Sequence, residues 1–136
     1  MAFTRLQIAF IGVVCFLAIK SSAQNAAIWI APDKAKSLVN PIKASDYDYS
    51  IEEGKYQYTS NCASCHGELG LGDGEKAKKF NPPPIDFTSK RFQSQTDGEL
   101  FWKINEGRGK MPKYKNEFSE DDIWFMVNYI RTLTKK

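Results

Sequence analysis

The segment Cys62-Ala63-Ser64-Cys65-His66 constrains this chain more than any other part of its sequence. Two cysteines separated by two residues and followed by histidine form the signature of covalent haem attachment. On one helical turn, thiols three residues apart lie on the same side, where both can bond the vinyl groups at one edge of a haem. The adjacent His66 then offers an imidazole nitrogen to the iron. The pattern predicts one covalent haem c, attached at Cys62 and Cys65.

The same cysteine pair has other interpretations. A structural zinc ion needs four nitrogen or sulfur ligands, but the rest of the chain offers only Cys15, and His66 is the single histidine. A thioredoxin-like redox pair needs a βαβ context, which the sequence lacks. Haem attachment is therefore the favoured hypothesis, and a zinc site, a disulfide or a chance pair are the alternatives.

The first 23 residues have the organisation of a secretory signal peptide. Arg5 supplies a positive charge, residues 8–19 form an apolar run, and small residues precede a predicted cleavage between Ala23 and Gln24. The run is short for a membrane span, which takes about 20 apolar residues, and an uncut membrane helix is the alternative. We expect a periplasmic or exported protein that meets a membrane only through partners or an uncleaved signal.

Cleavage would leave about 113 residues, and the loss of Arg5 and Lys20 reduces the 19 basic residues to 17, against 16 acidic ones. This balance does not suggest a nucleic-acid-binding protein, which usually shows a strong basic excess. Cys15 leaves with the signal, so no cysteine beyond the motif pair remains for a disulfide. We expect a signal peptide at 1–23, an N-terminal extension at 24–49 and one haem domain at 50–136.

Capping patterns and apolar periodicity predict an all-α protein with about three main helices around the haem. Ser50 and Glu53 fit a capping box, so the first helix is expected from residue 51 to about Cys62. Gly54 and Tyr58 are four residues apart and share a face of that helix. Glycine inside a helix costs about 1 kcal/mol relative to alanine, which suggests that another helix approaches closely at Gly54.

The other two main helices have similar start signals. Thr96 with Glu99 predicts a helix over residues 97–106, and Ser119 with Asp122 opens the last helix. Trp124 and Tyr129 are expected to flank an apolar stripe at helical spacing in that last helix. The stripe consists of Ile123, Met126, Val127, Ile130 and Leu133.

The remaining segments are predicted to be irregular. Residues 67–95 are glycine-rich, with one helical turn expected near residues 76–80 and an extended run at Pro82–Pro84. We expect apolar side chains to dock the extension on the main body, with a mobile tail as the alternative. These side chains are Ile28, Trp29, Ile30 and Leu38.

A six-coordinate iron needs a ligand opposite His66. Met111 lies in a loop between two helices, where glycines free the backbone and Pro112 stiffens the exit, whereas Met126 falls on the apolar stripe. Met111 is therefore the predicted second ligand, with Met126, a lysine or an open position as alternatives. His/Met ligation fills both axial positions, which favours electron transfer over catalysis.

Groups around the iron ligands should matter as well. The imidazole N–H that is not on the iron needs an acceptor, most often a backbone carbonyl or a carboxylate. Prolines cannot donate but can accept, so we expect this acceptor from Pro82–Pro84, with Pro83 and Pro84 as the candidates. Six lysines are predicted to form a basic rim that steers an acidic redox partner. They are Lys76, Lys78, Lys79, Lys110, Lys113 and Lys115.

Over about residues 50–133 the chain resembles the class I monohaem cytochromes c. Gly54 and Tyr58 look like the first-helix pair of that family, Tyr129 like its last-helix aromatic residue, and Met111-Pro112 like its distal-ligand loop. The resemblance implies terminal helices that cross beside the haem, and one-electron transfer between larger redox proteins without turnover of a substrate. We therefore expect a carrier, not an enzyme. A subunit of a membrane respiratory complex and a peroxidase or gas-binding protein are the alternatives.

Overall fold

The computed structural model describes residues 29–134, so the predictions for the signal peptide, Cys15 and Ile28 lie outside this part of the chain. Three long helices dominate residues 29–134, as expected. The all-α prediction is confirmed for these residues, because their β-type pairing is limited to one isolated bridge between Arg108 and Met111. The helices are α1 (Asp33–Lys36), α2 (Tyr47–Asn61), α3 (Ala63–His66), α4 (Lys90–Gln93), α5 (Asp97–Glu106) and α6 (Glu120–Thr132), with 3-10 turns at Ala44–Asp46 and Glu75–Lys79.

Helices α2 and α6 cross at Gly54. A Cβ atom at this position would overlap the backbone carbonyl of Phe125, so only a hydrogen atom fits between the two backbones. One turn later, the fully buried ring of Tyr58 lies 5.2 Å from the ring of Tyr129. The predicted close approach is confirmed, and it fixes the end of α2, from which the cysteine motif continues.

The apolar stripe of α6 forms the centre of the core. Ile123, Met126 and Val127 are almost completely buried, and burial of each such side chain contributes about 1.5–3 kcal/mol. Trp124, next to the stripe, is also buried and stacks on Phe101 of α5 with 4.3 Å between ring centroids. Helix α6 therefore packs against both α2 and α5 and joins these two helices through the core.

Two of the three predicted helix starts are confirmed. Both capping boxes are present at α5 and α6, with Thr96 and Ser119 accepting bonds from the backbone three residues later. The predicted start at Ser50 is wrong, because α2 begins at Tyr47, directly after a 3-10 turn. Ser50 is buried within the first turns, and its hydroxyl donates to the Tyr47 carbonyl at 2.6 Å.

The segment between the motif and α5 contains more helix than expected. The 3-10 turn at Glu75–Lys79 matches the predicted helical turn. Helix α4 lies in the part predicted to be irregular, and its start is capped by Ser89, whose hydroxyl accepts a bond from the Phe92 amide. Four residues give too little periodicity to reveal such a helix, although burial of Phe92 anchors it in the core.

The described part of the N-terminal extension docks on α5. Trp29 takes part as predicted, with its ring against Trp102 of α5, but the other contacts come from residues that were not predicted. Ile30 is 72% exposed and Leu38 is 42% exposed, whereas Ala31 and Ala35 are buried. A Cβ atom at Gly98 of α5 would overlap the Ala35 carbonyl, so small residues allow the two segments to touch. Of the helices within residues 29–134, none combines the length and apolarity that crossing a membrane requires.

Candidate haem site

The cysteine motif occupies a single helical turn at the end of α2. The amides of Cys65 and His66 both donate to the Cys62 carbonyl, at 3.1 and 2.8 Å. Cys62 and Cys65 are free and partly buried. The backbone therefore has the i, i+3 arrangement that two thioether bonds to one haem edge require.

Burial controls the protonation of the first thiol. It raises the pKa of Cys62 to about 12, and the neighbouring Cys65 acts in the same direction. A thiol in this environment is neutral at physiological pH. Within residues 29–134, no group of three or more His, Cys, Asp or Glu side chains is arranged to hold a metal ion.

The imidazole of His66 lies in an apolar setting. Its ring stacks on Phe87, with 4.4 Å between centroids and 21° between planes. Burial lowers the pKa of His66 to about 4, opposed by hydrogen bonding to the Ile85 backbone. The ring is therefore neutral at physiological pH, the form in which imidazole binds metals.

The Nδ1 atom of His66 is buried and has no hydrogen-bond partner of good geometry within the described structure. A buried polar atom without a partner is costly, so the ring fits a role in which it binds a further group. The Ile85 backbone raises the pKa of His66, which is the effect of a carbonyl that accepts from a ring N–H. Ile85 follows directly after the Pro82–Pro84 run in which the acceptor was predicted.

Tyr58 joins helix α2 to the loop that follows the motif. Its buried hydroxyl donates to the Gly67 carbonyl at 2.6 Å, and burial raises the pKa of Tyr58. The Gly72 amide donates to the His66 carbonyl at 2.8 Å. These bonds fix the chain on the C-terminal side of His66 and hold the histidine backbone in place.

Met111 lies in a tight turn that we call the Met111 hairpin, residues 108–111. Arg108 and Met111 exchange both backbone hydrogen bonds, at 3.1 and 3.0 Å. Gly109 has a φ of +62°, a left-handed conformation that glycine adopts without strain. The Met111 side chain is partly buried against the same hydrophobic cluster that Cys62 contacts.

Tyr114 connects the segment after Met111 with the motif. Its hydroxyl donates to the Asn61 carbonyl at 3.2 Å. Burial raises the pKa of Tyr114 to about 12, and the nearby Cys62 thiol adds to this effect. Met126, in contrast, is fully buried among the apolar side chains of α6, as its place on the stripe predicts.

The sequence also matches a known family over residues 50–130, the cytochrome c oxidase, cbb3-type, subunit III family. The chain belongs to this family of c-type cytochromes. The class I cytochrome c fold, haem c as the cofactor and the character of an electron-transfer haem protein are thereby confirmed. The cytochrome motif at residues 62–66 lies inside the matched segment.

Two curated relatives show how the cytochrome relates to larger proteins. It is 28% identical over 100 residues to the cbb3-type cytochrome c oxidase subunit CcoP of Azospirillum brasilense, covering 73% of this chain and 34% of that subunit. It is also 28% identical over 81 residues to cytochrome c6 of Cladophora glomerata, covering 59% of this chain and 85% of that protein. The chain thus spans about a third of the oxidase subunit but most of the small cytochrome.

Solved structures share the fold of this cytochrome. A chain of the reducing HAO-like protein complex of Kuenenia stuttgartiensis superimposes with a TM-score of 0.60 at 24% identity, over 79% of this chain and 53% of that one. Another c-type cytochrome superimposes with a TM-score of 0.53 at 23% identity, over 60% of this chain and 98% of that one. At these identities the likeness establishes the fold alone.

Several residues around the site escaped the sequence analysis. Phe87 and Ile85 contact the imidazole from a segment predicted only as irregular, and Tyr114 approaches the thiols from beyond the Met111 hairpin. The proline run was a usable signal for the segment that faces His66, because Ile85 follows it directly. No local pattern marks Phe87 or Tyr114, since their contacts with the motif are made across long sequence separations.

Proposed function

We propose that this cytochrome is an exported carrier of single electrons whose haem is attached at Cys62 and Cys65. His66 and Met111 would hold the iron of that haem. The observation that carries the proposal is the His66 imidazole, which stacks on Phe87 and follows directly on two free thiols one helical turn apart. The bound haem supplies one-electron redox chemistry, and its potential depends on the axial ligands and their surroundings.

The residues of this chain hold and orient the ligands. Phe87 stacks on the His66 ring, and the Ile85 carbonyl is in place to accept its N–H, an arrangement that fixes the tautomer of a metal-bound imidazole. Met111 contributes a soft thioether from a hairpin packed against the core. With the iron held by both residues, no position would remain open for oxygen or peroxide, which favours a carrier over an enzyme.

The test of this ligation is a ferric absorption spectrum of the wild-type holoprotein beside Met111→Ala. We expect the wild type to show the methionine-to-iron charge-transfer band and Met111→Ala to lose it. Met126→Leu is the matched control, because it removes the other methionine of the described chain at nearly constant volume and should keep the band. A high-spin wild-type spectrum would favour the peroxidase or gas-binding alternative.

The exposed lysines support an acidic redox partner. Lys76, Lys78 and Lys79 lie together on the 3-10 turn, and Lys110 and Lys113 flank Met111. Lys115 was expected to belong to this rim, but it forms an ion pair with Glu106 at 3.1 Å. Electrostatic steering predicts that association with the partner slows as ionic strength rises from 10 to 150 mM, because the Debye length falls from about 30 to 8 Å. Salt-independent association would reject it.

A second candidate function is that of a subunit within a larger respiratory assembly. The similarity to the oxidase subunit CcoP, of which this chain spans about a third, supports it. Size-exclusion chromatography of gently solubilised membranes separates the two proposals. A free carrier elutes alone at the mass of the mature chain, whereas a subunit co-elutes with other haem proteins.

A further inference from the structure

We infer that Trp29, on the N-terminal extension, positions the Met111 hairpin by holding Arg108. This inference rests on the proposed function where it concerns iron ligation by Met111. The positioning of the hairpin itself can be measured independently of that ligation. The geometry that carries the inference joins the N-terminal extension to α5 and to the hairpin that follows α5.

Trp29 lies in a cluster of cations and aromatic rings. The Arg108 guanidinium lies 5.3 Å from the centroid of the Trp29 ring, and the Lys103 ammonium lies 5.9 Å from it. The Trp102 ring meets Trp29 edge-on, with 5.9 Å between centroids. Tryptophan is the strongest aromatic partner for such cations, and separations within about 6 Å are attractive.

Arg108 transmits this contact to Met111. Both backbone hydrogen bonds of the hairpin run between these two residues, so their backbones move together. Space is open around Gly109 at the tip, where an added Cβ atom would meet no heavy atom within 4 Å. With an open tip, the hairpin depends on contacts at its base, and the contact of Arg108 with Trp29 is one of them.

The extension gives Trp29 a firm support. Two residues after Trp29, Ala31 is buried, and Ala35 is buried against Gly98 of α5. Farther along, the Asn40 amide donates to the Asn128 side chain at 2.6 Å, which links the extension to α6 in the core. Trp29 is therefore attached to the core of the molecule and can restrain the Arg108 side of the hairpin, whereas the Met111 side packs against the core cluster.

The first measurement is the affinity of exogenous imidazole for the ferric holoprotein, since imidazole competes with a methionine ligand. We expect imidazole to bind Trp29→Ala about fivefold more tightly than wild type, the factor that loss of one exposed cation–π contact gives. Arg108→Gln should behave alike while leaving the extension intact. Tyr56→Ala, which removes an aromatic ring that is 68% exposed on α2, should bind imidazole like wild type.

The second measurement is hydrogen exchange at the Arg108 and Met111 amides, which report the hairpin whether or not Met111 is a ligand. We expect exchange about fivefold faster in both variants, for the same lost contact. Unchanged exchange in both variants would overturn the inference. Faster exchange with unchanged imidazole affinity would uphold the positioning by Trp29 and reject Met111 as the ligand. Trp29→Phe, which keeps a weaker aromatic face, should fall between wild type and Trp29→Ala.

Discussion

The two segments proposed to ligate the haem iron are held in different ways. The motif at residues 62–66 continues directly from α2, which is fixed against α6 at Gly54 and by the buried Tyr58. The Met111 hairpin is a short turn with an open tip, held by its own two backbone bonds and by contacts at its base. One ligand therefore belongs to the helical core, whereas the other belongs to a surface loop.

This difference predicts which of the two proposed ligands is displaced more easily. Displacing His66 would disturb a turn whose backbone hydrogen bonds continue those of α2. The free energy needed would therefore include the loss of some contacts in the core. Displacing Met111 requires only movement of the hairpin. Loops carry the most mobile parts of functional sites because they contain few buried contacts. We expect ligand exchange, and any tuning of the potential, to take place on the Met111 side.

The largest predicted effect is that of removing the histidine of the motif. His66→Ala should lower the yield of haem-bearing protein at least about tenfold. Even a substitution of a residue that only hydrogen-bonds to a metal ligand typically lowers metal affinity or activity about 10- to 100-fold. Met111→Ala should retain the haem, since both thioether bonds and the histidine remain. Haem absorbance per mole of purified chain measures both. Equal haem loss in the two variants would show that the two sides are equally important for attachment.

The next prediction compares the two methionines by stability. Met126 is fully buried, so Met126→Ala should lower the free energy of unfolding by about 2–5 kcal/mol. Met111 is only partly buried, and the packing loss in Met111→Ala should be smaller. Urea unfolding, monitored by far-UV circular dichroism, measures both. A change for Met126→Ala as small as that of an exposed substitution would contradict its place at the centre of the core.

A third prediction concerns the polar link between the extension and the core. The buried Asn128 side chain accepts from the Asn40 amide and donates to the Ser50 hydroxyl, at 2.6 and 2.8 Å. Asn128→Ala should cost about 1–3 kcal/mol, because buried partners lose their hydrogen bonds. Asn116→Ala, at an exposed position, is the control and should change the unfolding free energy by less than about 0.5 kcal/mol. An equally small effect for Asn128→Ala would mean that the link adds nothing to the docking of the extension.

The smallest predicted effect concerns α5, on which the extension rests. Thr96→Ala removes a cap whose oxygen accepts from the Glu99 amide at 3.2 Å, at a cost of about 1 kcal/mol. Thr96→Ser keeps the hydroxyl and should stay close to wild type in the same urea titration. If both substitutions have the same effect, the hydroxyl is not what stabilises the start of α5.

Local signals in the sequence predicted those parts of the fold that depend on neighbouring residues. The capping boxes gave the first residues of α5 and α6, and Gly54 predicted the crossing of α2 with another helix. The start of α2 was missed because Ser50, which resembles a cap, is instead a buried partner of Asn128 in another helix. A hydrogen bond across 78 residues leaves no local pattern.

The extension illustrates the same limit. Large apolar residues were expected to dock it, but Ile30 and Leu38 are exposed, and Ala31 and Ala35 make the contact. The close approach to Gly98 selects small residues, and only the folded arrangement reveals which surface comes so near. In the site, the motif predicted the attachment residues, whereas Phe87 and Ile85 became visible only through their contacts. Trp29 was predicted to dock the extension, but its contact with Arg108 was not.

The central claim is that one haem is attached to the chain at Cys62 and Cys65, and peptide mass spectrometry tests it most directly. The protein is purified from a host that matures c-type cytochromes and is digested with trypsin, which cuts after Lys55 and Lys76. We predict that the peptide over residues 56–76 carries the mass of one haem through both cysteines, and that Cys62→Ala with Cys65→Ala removes it. A wild-type peptide at its unmodified mass, from a colourless protein, would contradict this account.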